Sequence, residues 1–374
     1  MNSDFLVVGA GVAGASVGAS LSEHGDVVLL EREERAGYHT TGRSAAFFTT
    51  NYGNSTIRRL TEASRLFFEN PPDGFSSSEL MSPHNILTVA RNDQGTNFVE
   101  SFAAAQELGS GICRVGASEA EEMCPILRKG YCSAAYLEQG MYMDVDAIHS
   151  GFLRKLRLNG GALLCGSELL SLQRKDGLWS AHTNNGTFLA PILVNAAGAW
   201  ADQVGALVGA KSIGLVPKRR TVIIFSAPRA LVPDTAPMVM DVQEEFYFKP
   251  EAGKILASPA DETPSLPCDV QPEEIDIAVT VSRVEQAIKV SVGQIEHKWA
   301  GLRSFVADKT PVVGFDPHKD GFFWLAGQGG YGIMTSPAIA EAATALILGN
   351  SWPASLDRTG VDRGELAPGR GTLF

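Results

Sequence analysis

The stretch from Asp4 to Glu31, which reads DFLVVGAGVAGASVGASLSEHGDVVLLE, decides the fold. The apolar run at 4–9 predicts a strand buried on both faces, because such strands carry nearly continuous apolar side chains. A glycine turn and a helix-compatible segment follow, and a second apolar run at 27–30 ends at an acid. This order predicts a βαβ unit within about thirty residues.

Each glycine of that turn has a physical reason. Gly9 permits the tight turn, Gly11 lets a pyrophosphate approach the backbone, and Gly14 lets the helix pack closely on the strand. The helix N-terminus stabilises the anion. Glu31 can accept hydrogen bonds from the ribose hydroxyls of an adenosine, and its charge disfavours NADP. The unit therefore predicts a dinucleotide site and leaves NAD and FAD open.

Length and composition set the outer limits. The 374 residues exceed the common domain size of roughly 100–200, which favours two domains. A hydrophobic content of 44% and a charged content of 20% are ordinary for a globular protein. The net charge is −11 and no basic run offsets it, which argues against a nucleic-acid partner.

The cysteines and the N-terminus bear on metals and location. The five cysteines include no CxxC pair and no ligand-like spacing with histidine, so no metal site is expected. No apolar run approaches the roughly 18–20 residues of a membrane-spanning helix. The N-terminus has no basic region of a signal peptide, so we expect a cytoplasmic protein with reduced thiols.

Three later segments favour a flavin. The loop 37–46 is small and rich in hydroxyls, which suits a cofactor that extends beyond adenosine. Residues 190–200 predict a strand that ends in a turn of tiny residues, which lets backbone pass close to a ligand. Residues 321–333 predict a strand, a glycine turn and the start of a helix, whose N-terminus can stabilise negative charge at the flavin edge.

Together these segments resemble the D-amino-acid oxidase-like flavoprotein family, which includes glycine oxidase and sarcosine oxidase. Within it, the chain is most similar to the bacterial FAD-dependent D-arginine dehydrogenases. The blocks that carry the resemblance are Gly37–Ala46 with Tyr52-Gly53, Asn70–Pro72, Met81–Pro83, Asp144–Ala147, Pro217–Arg220, Phe246–Pro250, Trp299–Phe305 and Gln328–Gly332.

The resemblance implies an α/β fold, in which a Rossmann-like FAD-binding domain carries an inserted α+β substrate domain with an antiparallel sheet. The FAD domain is expected to comprise 1–50, 144–215 and 306–374, and the substrate domain 51–143 and 216–305. FAD is expected to be held without a covalent bond, although some relatives attach it through a histidine in the loop that contains His39. The expected cofactor-binding residues are Gly9, Gly11, Ala13, Gly14, Glu31, Arg32, His39, Thr40, Thr41, Arg43, Ser44, Ala45, Ala46, Leu169, Ala197, Gly198, Trp200, Gly329, Gly330, Tyr331, Gly332 and Ile333.

Periodicity adds further elements. Residues 144–158 predict an amphipathic helix capped by Asp144. Strands are predicted at 162–165, 169–174 and 179–182, and an antiparallel sheet under the substrate pocket at 220–226, 244–249, 287–292 and 297–305. Surface loops are predicted at 227–237 and 258–275, and a peripheral tail after Trp352.

The resemblance implies a small-molecule amino-acid substrate, oxidised by hydride transfer from Cα to the flavin. Arg303 is the first candidate to hold the substrate carboxylate, because a planar guanidinium matches two oxygens. Arg220 is the second candidate, and its neighbour Arg219 is expected to point the other way. Tyr247 and Tyr52 match positions where phenols help hold the carboxylate. Gly330 matches the turn beside flavin and substrate.

Two departures from the D-arginine dehydrogenases bear on the substrate. Ile86 stands where they carry a glutamate, and Phe47 stands where they carry a histidine. We therefore predict an apolar pocket lined by Phe47, Phe48 and Ile86. A guanidinium buried there without a counter-charge would cost several kcal/mol in order of magnitude, so neutral or apolar D-amino acids are expected to be better substrates.

Several alternatives stay open at this point. An N-substituted amino acid or a 2-hydroxy acid needs the same arginine, and the chain could also be a flavin subunit of a larger complex. No motif identifies the electron acceptor, which leaves oxygen, a quinone or a carrier.

Overall fold

The computed structural model describes residues 1–107 and 111–373. Its α-helices are α1 (Val12–Leu21), α2 (Ser55–Glu69), α3 (Gly95–Glu107), α4 (Ala117–Met123), α5 (Val145–Leu158), α6 (Ala201–Leu207), α7 (Glu274–Ala287), α8 (Ser336–Leu348), α9 (Ala354–Thr359) and α10 (Arg363–Leu366). Its strands are β1 (Phe5–Val8), β2 (Val27–Leu30), β3 (Phe47–Phe48), β4 (Met81–Pro83), β5 (Ile86–Ala90), β6 (Cys113–Val115), β7 (Ala134–Glu138), β8 (Met141–Met143), β9 (Ala162–Leu164), β10 (Leu169–Lys175), β11 (Leu178–Thr183), β12 (Gly186–Ala190), β13 (Ile192–Asn195), β14 (Val216–Phe225), β15 (Met238–Asp241), β16 (Tyr247–Glu251), β17 (Lys254–Ser258), β18 (Thr263–Pro264), β19 (Ile295–Phe305), β20 (Val312–Phe315) and β21 (Phe322–Ala326).

A largely parallel sheet in the order β20-β21-β13-β1-β2-β9 carries the predicted βαβ unit. β1 is buried on both faces, as the apolar run predicts, and so is β2. Phe5 and Val7 face a core that contains the buried residues of α1, α5 and α8. Leu6 and Val8 face a second core shared with the antiparallel sheet β10-β11-β12. The βαβ prediction is confirmed.

A larger sheet runs in the order β18-β14-β17-β16-β15-β5-β7-β6, with β19 paired to β14. It is antiparallel except where β5 and β15 run parallel. One face packs on α4 and α7. Ile86, Met238 and Tyr247 lie together on the opposite face. A small sheet, β3-β8-β4, completes the strands of the described residues.

Some strand and loop predictions are wrong. Residues 287–292 form no strand, because Ala287 ends α7 and buries its methyl group in the core under the large sheet. The predicted loop 258–275 contains β18 and the first residues of α7. The strand predicted at 244–249 begins at Tyr247, since Glu244 has a left-handed backbone with φ of 56°. The domain boundaries given above stay a prediction.

The tail after Trp352 is not peripheral. Leu356 and Leu366 are fully buried in the core that also contains α1 and α8. Polar contacts add to this packing, since Arg59 pairs with Glu365 at 2.8 Å. The prediction of a peripheral tail was wrong because a segment rich in glycine, proline and charge can still bury a few apolar side chains.

No helix within residues 1–107 and 111–373 combines the length and the apolar character needed to cross a lipid bilayer.

The packed tail generates a stability prediction. Leu366→Ala should lower the free energy of unfolding by about 2–5 kcal/mol, because it leaves a cavity beside fully buried neighbours. Leu266→Ala is the matched control, since Leu266 is 81% exposed and should change stability by less than about 0.5 kcal/mol. Urea titration monitored by circular dichroism measures both. Equal stability of the two variants would show that the tail does not belong to the core.

Candidate active site

The glycine turn between β1 and α1 is sterically closed to side chains. Gly9 has φ of 100°, and a Cβ there would lie 2.5 Å from the Ala196 carbonyl oxygen. A Cβ on Gly14 would lie 1.8 Å from the Gly9 carbonyl oxygen. Gly11 faces the Thr41 hydroxyl, which accepts a hydrogen bond from the Val12 amide at 2.9 Å. The glycines thus hold strand, helix and the loop 37–46 in close contact.

Glu31 lies at the end of β2 and fixes that turn. Its carboxylate accepts hydrogen bonds from the amides of Ala10 at 2.8 Å and Glu33 at 3.0 Å. Beside it, the Arg32 guanidinium lies 4.4 Å from the centre of the Trp200 ring, and His39 pairs with Glu33 at 2.9 Å. These contacts build one end of a long cavity.

We call this long space the glycine-lined cavity. It runs from the β1–α1 turn, past the loop 37–46 and the turn after β13, to the glycines at 329–332. Its lining includes most of the predicted cofactor residues, namely Gly9, Gly11, Ala13, Glu31, Arg32, His39, Thr40, Thr41, Ser44, Leu169, Ala197, Gly198, Trp200, Gly329, Gly330, Gly332 and Ile333.

Five predicted cofactor residues lie outside that lining. Gly14 packs α1 against β1. Arg43 turns toward Asp269. Tyr331 packs its ring 4.9 Å from the ring of Tyr52. Ala45 and Ala46 line a neighbouring cavity instead.

The structure adds residues that sequence reasoning missed. Gln328 lines the glycine-lined cavity, and its buried Nε2 has no hydrogen-bond partner within the described part of the chain. Its position directly before Gly329 and Gly330, in the turn predicted to contact the cofactor, could have marked it as a site residue. His149 from α5 lies beneath the turn, where its Nε2 contacts the Ala10 carbonyl oxygen at 2.9 Å. No local pattern marked it, because it sits among the buried positions of an amphipathic helix.

The donor set fits a dinucleotide that carries a flavin. A helix N-terminus, hydroxyls at Thr40, Thr41 and Ser44, and the carboxylate of Glu31 suit the phosphates and the ribose. The free amide of Gln328 supplies a donor at the far end of the glycine-lined cavity, beside Gly329 and Gly330.

The second space, which we call the arginine-lined cavity, adjoins the first. All seven predicted catalytic or substrate-binding residues line it: Phe47, Tyr52, Ile86, Arg220, Tyr247, Arg303 and Gly330. Ser44, Arg303, Gly330 and Ile333 line both cavities. These four residues therefore mark the boundary at which a bound cofactor and a substrate would meet.

Arg303 is a buried cation, 7% exposed. Its donors reach main-chain carbonyl oxygens, that of Arg43 at 3.1 Å and that of Leu302 at 3.4 Å. Burial and the nearby charge of Arg220 both lower the pKa of Arg303. The site thus holds two guanidinium groups close together.

Arg220 and Arg219 point in opposite directions on β14, as predicted. The Arg220 Nε donates to the Asp261 carbonyl oxygen at 2.9 Å. Burial lowers the pKa of Arg220, but Tyr52, Tyr247 and Asp261 together outweigh burial, so the pKa of Arg220 is raised. Arg219 pairs instead with Asp276 at 2.6 Å on the other face.

The side walls are mainly apolar, with one acid. Ile86, Met238, Met240 and Phe246 line the cavity together with Phe47. The prediction for Phe48 is wrong, because its ring is buried in the core and packs on Phe68 at 6.0 Å.

Glu244 also lines the arginine-lined cavity, which corrects the expectation of a pocket without a carboxyl group. Desolvation by the surrounding protein raises the pKa of Glu244, and Arg220 opposes that shift. No local pattern predicted Glu244, because a left-handed backbone with φ of 56° places its side chain at the cavity.

Comparison with known proteins identifies the family. The model of the family described as DAO, FAD dependent oxidoreductase, matches residues 4–346. The chain belongs to this family. It is therefore an FAD-dependent oxidoreductase, and the cofactor predicted from sequence is confirmed. Non-covalent attachment stays a prediction.

Curated relatives are distant but cover most of this chain. Glycine oxidase from Bacillus licheniformis is 24% identical over 361 residues, which is 93% of this chain and 93% of the relative. Human mitochondrial dimethylglycine dehydrogenase is 24% identical over 94% of this chain, which spans only 43% of that longer protein.

Solved structures share the fold. Glycine oxidase from Geobacillus kaustophilus has a TM-score of 0.81 at 21% identity, covering 97% of this chain and 99% of that one. L-α-glycerophosphate oxidase from Mycoplasma pneumoniae with FAD bound has a TM-score of 0.83 at 18% identity, covering 93% and 95%. The predicted fold class is confirmed, whereas the closer resemblance to the D-arginine dehydrogenases remains a proposal.

His84, behind the cavity wall, generates a pH prediction. Its ring stacks on Tyr142 at 3.8 Å and meets the Phe47 ring at 5.8 Å. Burial and the charge of Lys249 lower the pKa of His84 from its ordinary value of 6.5 to about 4. His84 therefore binds a proton at a higher pH in the unfolded chain than in the folded chain. Between about pH 6.5 and 4, His84 should reduce stability by up to about 1.4 kcal/mol per pH unit as the pH falls.

Unfolding free energies of wild type and His84→Asn across that range test this. The variant should show a shallower loss toward acid, and His24→Asn, at an exposed position, should match the wild-type slope. Identical slopes for wild type and His84→Asn would contradict the assignment.

Proposed function

We propose that this chain catalyses the FAD-dependent oxidative deamination of D-amino acids with neutral or apolar side chains. The products are a 2-oxo acid and ammonia, formed through an imine that water hydrolyses. The observation that carries the proposal is the buried Arg303 guanidinium at the boundary of the two cavities.

Arg303 supports the proposal because its charge is incompletely satisfied. Among the described residues it forms no ion pair, and its hydrogen bonds go to the carbonyl oxygens of Arg43 and Leu302. A buried charge without a partner costs several kcal/mol in order of magnitude. A substrate carboxylate would supply the missing anion in the bidentate geometry that a guanidinium favours.

The neighbouring polar groups suit the same ligand. The Tyr52 hydroxyl lies 3.6 Å from where a Cβ on Gly330 would stand, and Arg303 Cδ lies 3.8 Å from that point. Tyr247 and Arg220 line the same cavity. Two phenols and two guanidinium groups would therefore orient a carboxylate and leave the substrate Cα facing the boundary.

FAD, when bound, accepts the hydride from the substrate. The chain itself needs only to place the substrate Cα at near-attack distance from the flavin and to exclude water. Positioning of this kind supplies a large part of the rate enhancement. Gly330 has no side chain at the boundary, so substrate and cofactor can approach there.

The charge of the lining supports a neutral side chain. Arg220 pairs with Glu262 at 3.7 Å, outside the lining, whereas Arg303 forms no ion pair among the described residues. The substrate carboxylate would neutralise the Arg303 charge. A cationic side chain would add an uncompensated charge beside Phe47 and Ile86. Glu244 does not change this expectation, because burial raises its pKa and so disfavours the carboxylate that a cationic side chain would need.

A second candidate is the oxidation of a secondary amine. The names of two relatives favour an N-substituted amino acid, since they are dimethylglycine dehydrogenase and an iminodiacetate oxidase from Chelativorans. Such substrates carry a carboxylate beside the amine and would use the same arginine.

Anaerobic flavin reduction across a panel of amino acids tests the proposal. D-Leucine and D-methionine should reduce the flavin with a kcat/KM at least about tenfold above that of D-arginine, because only the cation lacks a counter-charge. Faster reduction by D-arginine would refute the neutral preference. Faster reduction by N-methylglycine than by any D-amino acid would establish the second candidate instead.

Ile86→Glu should shift that preference toward D-arginine, since it restores a carboxylate to the wall. Ile86→Gln is the matched control, because it adds a polar group of similar size without charge and should not favour the cation. Equal behaviour of the two variants would exclude a charge effect at this position.

A further inference from the structure

We propose that Asp269, which lines neither cavity, is a positioning residue that holds the Arg303 guanidinium in place through Arg43. The inference rests on the proposed role of Arg303 as the carboxylate-binding residue. Asp269 lies between β18 and α7, in the segment that the sequence presents as a surface loop.

Asp269 holds one side of the Arg43 guanidinium. Its Oδ1 lies 2.5 Å from Arg43 Nη2, and its Oδ2 accepts a hydrogen bond from the Tyr38 hydroxyl at 3.2 Å. Arg43 Nη1 donates to the carbonyl oxygens of Val270 at 3.1 Å and Ala300 at 3.0 Å. The Arg43 guanidinium is therefore fixed between the Asp269 segment and β19.

The main chain of Arg43 in turn holds Arg303. Its carbonyl oxygen accepts a hydrogen bond from Arg303 Nη2 at 3.1 Å. A Cβ on Gly301 would lie 2.9 Å from Arg303 Nη1 and 3.2 Å from Arg43 Cβ. No free space therefore separates Arg43 from Gly301 and Arg303. A shift of Arg43 would move its carbonyl oxygen, which is the acceptor that orients Arg303.

The charges favour this arrangement. The hydrogen bond from Arg43 lowers the pKa of Asp269, so the carboxylate is ionised near neutral pH. The Asp269 side chain is 46% exposed and that of Arg43 is 14% exposed. A pair so close to solvent contributes little to global stability. Its main effect is therefore on the orientation of the loop 37–46 and of Arg303.

Binding of anthranilate, an aromatic carboxylate that a flavin cannot oxidise at a Cα–H, tests the inference. The change in flavin absorbance of the FAD-loaded protein follows the binding. Asp269→Asn should raise the Kd for anthranilate and the KM for the substrate about tenfold, because the carboxylate-binding fork is misaligned. The kcat and the unfolding temperature should stay near wild type, and Asp269→Glu should restore most of the affinity. Glu274→Gln is the matched control, since it removes an exposed pair with Lys298 at 2.9 Å and should leave the Kd unchanged.

Two outcomes contradict the inference and are distinguishable. If Arg303→Met weakens anthranilate binding but Asp269→Asn binds it like Glu274→Gln, the positioning role of Asp269 is wrong and the proposed function stands. If Arg303→Met binds anthranilate as wild type does, Arg303 does not bind the carboxylate, and both proposals fail.

Discussion

A guanidinium buried without a carboxylate partner is the constraint on which the site depends. Arg303 lies where the two cavities meet, and main-chain carbonyl oxygens alone accept its hydrogen bonds among the described residues. The pairing of β14 with β19 sets Gly301 directly opposite Arg220, so the two arginines share one face of the sheet. Because Gly301 has no side chain, the Arg303 guanidinium can fold over it. The fold therefore concentrates positive charge where an anionic substrate is needed.

One of the two main sheets helps form the glycine-lined cavity, and the other helps form the arginine-lined cavity. The parallel sheet ends its strands at the glycine-lined cavity, as open α/β sheets do for dinucleotides. The large sheet supplies Arg220, Tyr247 and Ile86 from strands that are far apart in sequence. The loop 37–46 joins the two, since Thr40 donates to the Leu302 carbonyl oxygen at 2.8 Å on the neighbouring β19. Cofactor and substrate are thereby held against one shared loop.

Local signals explain what could be predicted. The βαβ unit is visible because its strands, glycines and terminal acid follow one another within the Asp4–Glu31 stretch. Contacts between distant segments were not visible. Glu244 reaches its cavity through a left-handed backbone, and Asp269 acts through Arg43 more than two hundred residues away. Apolar periodicity indicates which residues are buried but not which element they pack against. For this reason a strand was predicted to begin at Ala287, which is the last residue of α7.

The most direct measurement compares an amino acid with its ester, because the central claim is that Arg303 binds a substrate carboxylate. Anaerobic flavin reduction by D-leucine and by D-leucine methyl ester isolates that group, since the ester keeps the side chain and the amine. At limiting concentration, the ester should reduce the flavin at least about a hundredfold less efficiently than the acid does. Equal efficiency for the two compounds would show that Arg303 does not bind a substrate carboxylate.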